Sequence, residues 1–142
     1  MTFLSLCQQG DLFFKAYRVD LFSQIFKFAL ALGLFLVLTI SHNLAHIEER
    51  YHAEYYLFLT TATLGMMMLV SAVELLTIYV ALELSSYSLY ILVPLRRGDS
   101  IDVEAGIKYL FIGAVSSGFM LFGLSYIFGA AHSTYLTEIL PK

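Results

Sequence analysis

Polar and apolar positions sort this chain into four long apolar blocks, at about 21–41, 55–72, 74–93 and 105–131. An α-helix rises about 1.5 Å per residue, so one that crosses the hydrocarbon of a bilayer needs about 20 apolar residues. All four blocks approach or exceed that length. The pattern predicts an all-α polytopic membrane protein of about four transmembrane helices. A polar, interfacial segment over 1–20 precedes the helical region at 21–142.

The breaks between blocks carry physical signatures of their own. Residues 42–54 form a polar link. Pro94 removes a backbone donor, and Arg96, Arg97, Gly98, Asp99 and Ser100 then turn the chain after the third helix. Only 71–74 separate the second and third blocks, which makes them antiparallel neighbours. Glu74 suits the start of the third helix, where a carboxylate meets the positive end of the helix dipole. Tyr51, Tyr55, Tyr56, Tyr90, Tyr126 and Tyr135 lie near block ends, as an interfacial aromatic belt requires. Arg50, Arg96 and Arg97 fall on one side of the membrane, Lys15, Arg18 and Lys142 on the other. The short loops favour the Arg96 side as cytoplasmic, or matrix in a mitochondrion.

Composition agrees with a lipid solvent. Of 142 residues, 59% are hydrophobic and 13% charged, and the mean hydropathy is +0.78. Soluble domains carry about a quarter charged residues. A net charge of −3 and the lack of a basic cluster argue against a nucleic-acid partner. A single cysteine, Cys7, excludes an internal disulfide and a thiolate metal cage. The first twenty residues lack a basic start followed by an apolar core, so no cleavable signal peptide is expected.

Glu83 is the residue most in need of a function. It stands nine positions after Glu74 and ten before Val93, roughly 14 Å from either end of its helix. A carboxylate at that depth costs about 2.5–3.5 kcal/mol on insertion scales, and intramembrane acids are functional by default. Tyr79, Ser86, Tyr87 and Tyr90 make a polar stripe beside it, able to hold water and carry protons. The competing reading is a hydrogen-bonded structural glutamate. Lys108 lies a few ångströms inside the fourth helix, where it either snorkels or faces the same interior as Glu83. Lys27 shares a helix face with Asp20, Ser23 and Gln24, and snorkelling is the favoured reading there.

Other features carry weaker signals. Gly113, Ala114, Ser117 and Gly118 form two small-xxx-small pairs suited to close helix packing. Met66, Met67 and Met68 read as packing within a span. His42 and His46 are four apart with His52 following, which offers a metal-binding alternative. His42 is followed by Asn43 rather than the glutamate of a zinc-protease motif. No metal site is expected. No nucleophilic triad, phosphate loop or dinucleotide fingerprint occurs.

The segment T-L-G-M-M-M-L-V-S-A-V-E-L-L-T-I-Y-V-A-L-E-L-S-S-Y-S-L-Y-I-L resembles the fourth and fifth transmembrane helices of the subunit N family of proton-pumping NADH:quinone oxidoreductase, respiratory complex I. The mitochondrial counterpart is NADH dehydrogenase subunit 2. E-A-G-I-K-Y-L-F-I-G-A-V-S-S-G-F resembles the family's sixth helix, and Y-R-V-D-L-F-S-Q-I-F-K its entry into the third. The related antiporter-like subunits L and M usually have tryptophan directly before the mid-helix glutamate. This chain reads Ala81-Leu82-Glu83-Leu84, which favours subunit N.

The resemblance implies an antiporter-like helical bundle and a proton-translocation half-channel coupled to quinone reduction. Glu83 then matches the family's functional fifth-helix glutamate and Lys108 its sixth-helix lysine, with Tyr87, Ser86 and Lys27 as further candidates. It implies no redox cofactor here; NADH, flavin, iron–sulfur clusters and quinone belong to other subunits. The implied partners are the other membrane subunits, a chain supplying the missing helices, and the bilayer. The implied location is the bacterial cytoplasmic or mitochondrial inner membrane. Ser88 stands near where the family commonly has proline. A full member has about fourteen helices, so the chain is expected to be a fragment, a split-gene product or a truncated reading frame. The competing classes are a purely structural membrane subunit and a subunit of a related cation/proton antiporter.

Overall fold

The computed structural model describes residues 10–41, 47–95 and 100–139. Cys7, His42, His46, Arg96, Arg97 and Lys142 lie outside the described residues. The expected spans appear as α1 (Leu21–Ile40), α2 (His52–Ser71), α3 (Leu75–Leu92) and α4 (Ser100–Ala131), followed by a short α5 (Leu136–Ile139). All four long helices are apolar and long enough to cross a membrane. Asp20 sets the start of α1. Its Oδ1 accepts from the Ser23 amide at 2.8 Å, while Ser23 Oγ accepts from the Asp20 amide at 3.0 Å. Two otherwise orphaned donors are satisfied reciprocally.

α2 and α4 begin earlier than the apolar blocks at 55 and 105 predict. Their first turns contain Glu54 and Asp102, carboxylates that a helix N-terminus stabilises but that hydrophobicity excludes. Pro94 ends α3 within a single tight turn at Val93–Leu95.

The expectation of a purely helical chain needs one addition. The polar segment before α1 contains a hairpin of β1 (Gly10–Leu12) and β2 (Tyr17–Val19), paired antiparallel with Gly10 opposite Val19. Its loop holds Phe13, Phe14 and Lys15 at φ of 52°, 56° and 71°, so three consecutive side-chain-bearing residues adopt the left-handed region. The hairpin docks on the α2–α3 turn. Val73 donates its amide to Ala16 O at 2.9 Å, and Tyr17 bridges to Ala72. The same turn takes up the chain after α4, for Leu75 donates to Thr134 O at 2.9 Å and Leu136 to Val73 O at 3.1 Å. The Glu74 carboxylate fastens this junction by accepting from Thr77 at 2.7 Å and from Thr134 at 3.0 Å. At this membrane face, backbone groups between helices thus find partners without a long sheet.

Within the membrane the closest contact is between α2 and α3, while α1 packs on α2 and α4 on α3. The α2–α3 contact is built from small residues. Ala62 and Ala81 are 2% and 0% exposed, and a Cβ added at Gly65 would stand 2.7 Å from the Ser85 amide nitrogen and 3.0 Å from Ala81 O. Ser88 and Thr63 bury their hydroxyls by donating to Leu84 O at 2.8 Å and Leu59 O at 2.9 Å, on their own helices. With no hydrophobic force between helices in lipid, such backbone approach supplies the van der Waals packing.

The expected small-residue contact on α4 is half realised. Gly113 meets Tyr90 of α3, whereas a Cβ on Gly118 would meet nothing within 4 Å. Gly113 and Ser117 are half-buried, but Ala114 and Gly118 are exposed. One position is about 100° around the helix, enough to put the second pair on the outer face.

Two outcomes follow for stability in detergent. Gly65→Ala should lower it by about 1–3 kcal/mol by forcing two backbones apart, while Gly118→Ala should leave it unchanged; equal responses in denaturant unfolding would contradict the contact. The Ser23 amide, against a smaller opposing effect of desolvation, holds the Asp20 carboxyl below its ordinary value of 3.8. Its capping contribution is therefore complete above that ordinary value and lost as pH falls through the lowered one. Unfolding measured against pH should show acid destabilisation that is smaller in Asp20→Asn.

Candidate functional site

Glu83 sits eight residues beyond the first residue of α3 and nine before the last, about 12–14 Å from each end. The helix has two distinct faces. Ala81, Ser85 and Ser88, buried against α2, lie about 140–200° around from Glu83. Tyr90, which meets α4 at Gly113, lies within about 20° of it, and Pro94, just past the helix end, meets Gly106. Glu83 therefore belongs to the α4 side. Tyr79 and Tyr87, at i−4 and i+4, present phenols that interact with its carboxylate. Yet Glu83 Oε2 is buried with no hydrogen-bond partner among the described residues. An orphaned buried carboxylate oxygen is costly.

The stripe predicted beside Glu83 is present. Ser86 is half-buried and Tyr87 exposed on the same side of α3. Tyr87 and Tyr90 meet edge to face, with centroids 5.8 Å apart. Tyr90 meets Tyr109 of α4 in the same way at 4.8 Å.

Lys108 is not brought to Glu83. Its Nζ pairs with Glu104, one turn towards the start of α4, and the two side chains are 69% and 63% exposed. Gly106, Tyr109 and Gly113 define the α3-facing side of α4, and Lys108 lies about 130° from its centre. Of the two readings open for Lys108, the placement does not support an interior shared with Glu83: helix phase turns it onto the open face. The i,i+4 spacing of Glu104 and Lys108 is the signal in the sequence that corresponds to this pair.

Lys27 lies elsewhere. Its ammonium rests 4.6 Å above the ring of Tyr17 on β2, so the long side chain reaches from α1 to the interfacial hairpin. Of the histidine set, His42 and His46 lie outside the described residues, and His52 Nε2 is 3.2 Å from Ile47 O.

Residues 72–142, half of the chain, match the model of the NADH:quinone oxidoreductase/Mrp antiporter transmembrane family. The chain belongs to that family of membrane proteins. Among individual proteins it is similar to NADH-quinone oxidoreductase subunit N 2 of Syntrophobacter fumaroxidans, with 51% identity over 127 residues, 89% of this chain and 27% of the relative. The corresponding subunit N 2 of Solidesulfovibrio magneticus is 44% identical over 135 residues, 95% of this chain and 29% of the relative. The fold is similar to a chain of respiratory complex I from Thermus thermophilus with bound aureothin. That likeness has a TM-score of 0.79 at 30% identity and covers 95% of this chain and 29% of that one. The chain thus spans under a third of the length of these relatives.

Because Oε2 of Glu83 lacks a partner, neutralising the group should not weaken the fold. Glu83→Gln in detergent is expected to unfold at the same or a higher temperature than the parent, as functional sites commonly trade stability for activity. A clear drop would mean that the carboxylate holds the helices together.

Proposed function

We propose that this chain forms part of the membrane arm of a proton-translocating NADH:quinone oxidoreductase, and that Glu83 is the exchange group of a proton half-channel driven by quinone reduction elsewhere in the complex. The observation that carries this reading is the buried, unpartnered Oε2 at the middle of a membrane-spanning helix, with Tyr79 and Tyr87 on either side. The family match and the relatives named subunit N support it.

In this reading the chain does no redox chemistry. NADH, flavin, iron–sulfur clusters and quinone reside in other subunits, and a change of charge there reaches Glu83 through neighbouring helices. Glu83 takes a proton when the field around its carboxylate turns negative and releases it when a cation approaches. Tyr87 and Ser86 order water beside it. Lys108 acts from the outer face of α4, where the Glu104 bond holds it until a further helix of the arm packs there. Lys27, over Tyr17, is left to hold α1 against the hairpin. The partners are the other membrane subunits and the polypeptide that supplies the rest of the antiporter-like bundle, with lipid around them and no nucleic acid. The membrane is the bacterial cytoplasmic or mitochondrial inner membrane.

The test is Glu83→Gln in the assembled complex in proteoliposomes. Proton uptake and coupled quinone reduction should fall by about a hundredfold or more, the scale on which a positioned proton-transfer group acts. Normal pumping with normal assembly would remove Glu83 from the mechanism.

A further inference from the structure

The contact between α3 and α4 is built differently from that between α2 and α3. Small residues bring α2 and α3 together along their backbones, whereas α4 meets the outer part of α3 through aromatic rings and a notch. A Cβ on Gly113 would fall 2.0 Å from the Tyr90 hydroxyl oxygen and 2.3 Å from its Cζ. The glycine is therefore the space in which the phenol rests, and the ring is held on either side by edge-to-face contacts with Tyr87 and Tyr109. At the mouth of the seam, a Cβ on Gly106 would fall 2.8 Å from Pro94 Cβ. Deeper in, α4 keeps one half-buried face, with Gly113, Ser117, Met120 and Leu124 at helical spacing.

Glu83 and Tyr90 lie seven residues apart on one face of α3, about 10 Å along its axis. Tyr87 stands between them, touching the ring of Tyr90 and interacting with the Glu83 carboxylate. From the membrane face where α3 ends and α4 begins, the order along the seam is Tyr109, Tyr90, Tyr87, Glu83. Each of these phenols carries a hydroxyl that both donates and accepts. Three phenols in successive edge-to-face contact on the way to an orphaned carboxylate exceed what packing requires, since phenylalanine fills the same volume without a polar atom in lipid.

We propose that the α3–α4 seam is the route by which protons reach Glu83 from that membrane face, and that Tyr90, seated over Gly113, is its proton-passing residue. The inference rests on the reading of Glu83 as an exchange group and adds its access path. In each transfer the Tyr90 oxygen accepts a proton from water on the outer side while its own O–H proton leaves towards Tyr87 and bound water. Hydroxyl rotation then restores the starting state. One proton moves inward, the phenol ends neutral, and no other reactant is consumed.

The experiment is made in the assembled complex in proteoliposomes, with Tyr90→Phe, Glu83→Gln and the double variant. Tyr90→Phe keeps the ring and its two edge-to-face contacts, so a purely structural role predicts the parental rate. The seam route predicts coupled proton uptake lowered about a hundredfold, a larger solvent deuterium isotope effect, and no further loss when Tyr90→Phe is added to Glu83→Gln. Gly113→Ala, which pushes the phenol from its notch, should slow uptake in the same way and add nothing to Tyr90→Phe. A Tyr90→Phe complex with parental uptake and isotope effect, alongside a slow Glu83→Gln complex, would overturn the seam route and leave the role of Glu83 standing. Parental uptake in Glu83→Gln alone would overturn the exchange-group reading and the route with it.

Discussion

The lipid tails in the interior of a bilayer offer no hydrogen-bonding groups, and the arrangement of this chain follows from that constraint. Backbone groups there must bond within helices, so the apolar blocks fold as α1 to α4. Hydroxyls must find a carbonyl on their own helix, as Thr63 and Ser88 do. Where helices end, backbone groups are knitted instead by the hairpin, the α2–α3 turn and the segment at Thr134. Among the described residues two buried side-chain oxygens lack a partner, Ser71 Oγ at the end of α2 and Glu83 Oε2, and only the second belongs to an acid at mid-helix.

The two faces of α3 divide structure from chemistry. The small face, with Ala81 and Ser85 against Gly65, fixes α3 rigidly on α2. The opposite face bears Glu83 and the phenols and meets α4 through a side-chain ring rather than a backbone seam. A backbone contact on one side and a side-chain contact on the other are compatible with the change of charge proposed for Glu83. The outer faces of α1 and α4 carry exposed Phe22, Phe35, Phe111 and Phe119, the surface expected of helices meeting lipid or further helices.

Much of this is written in the order of residues, and what is missing has physical causes. Block length and the absence of charge give the four helices, and the midpoint position of Glu83 between Glu74 and Val93 gives its depth. The hairpin was hidden because Phe13, Phe14 and Lys15 occupy left-handed backbone that residues with a Cβ seldom adopt. The Glu74–Thr134 bond joins residues sixty apart, beyond any local pattern. Lys108 shows the limit most clearly. α4 starts at Ser100, so Lys108 lies about 12 Å along it rather than a few; its direction depends on which side of α4 packs on α3, and the meeting of Tyr90 with Gly113 fixes that phase. Gly65 went unnoticed among the methionines that follow it, although it makes the tightest backbone approach described.

The role proposed for Glu83 requires that its carboxyl hold an exchangeable proton inside the membrane. Infrared difference spectroscopy of the assembled complex, comparing resting and turning-over states, tests it most directly. The account predicts a carboxylic-acid C=O band that changes with turnover, shifts in D2O and disappears in Glu83→Gln. A spectrum in which no such band depends on Glu83 would contradict it.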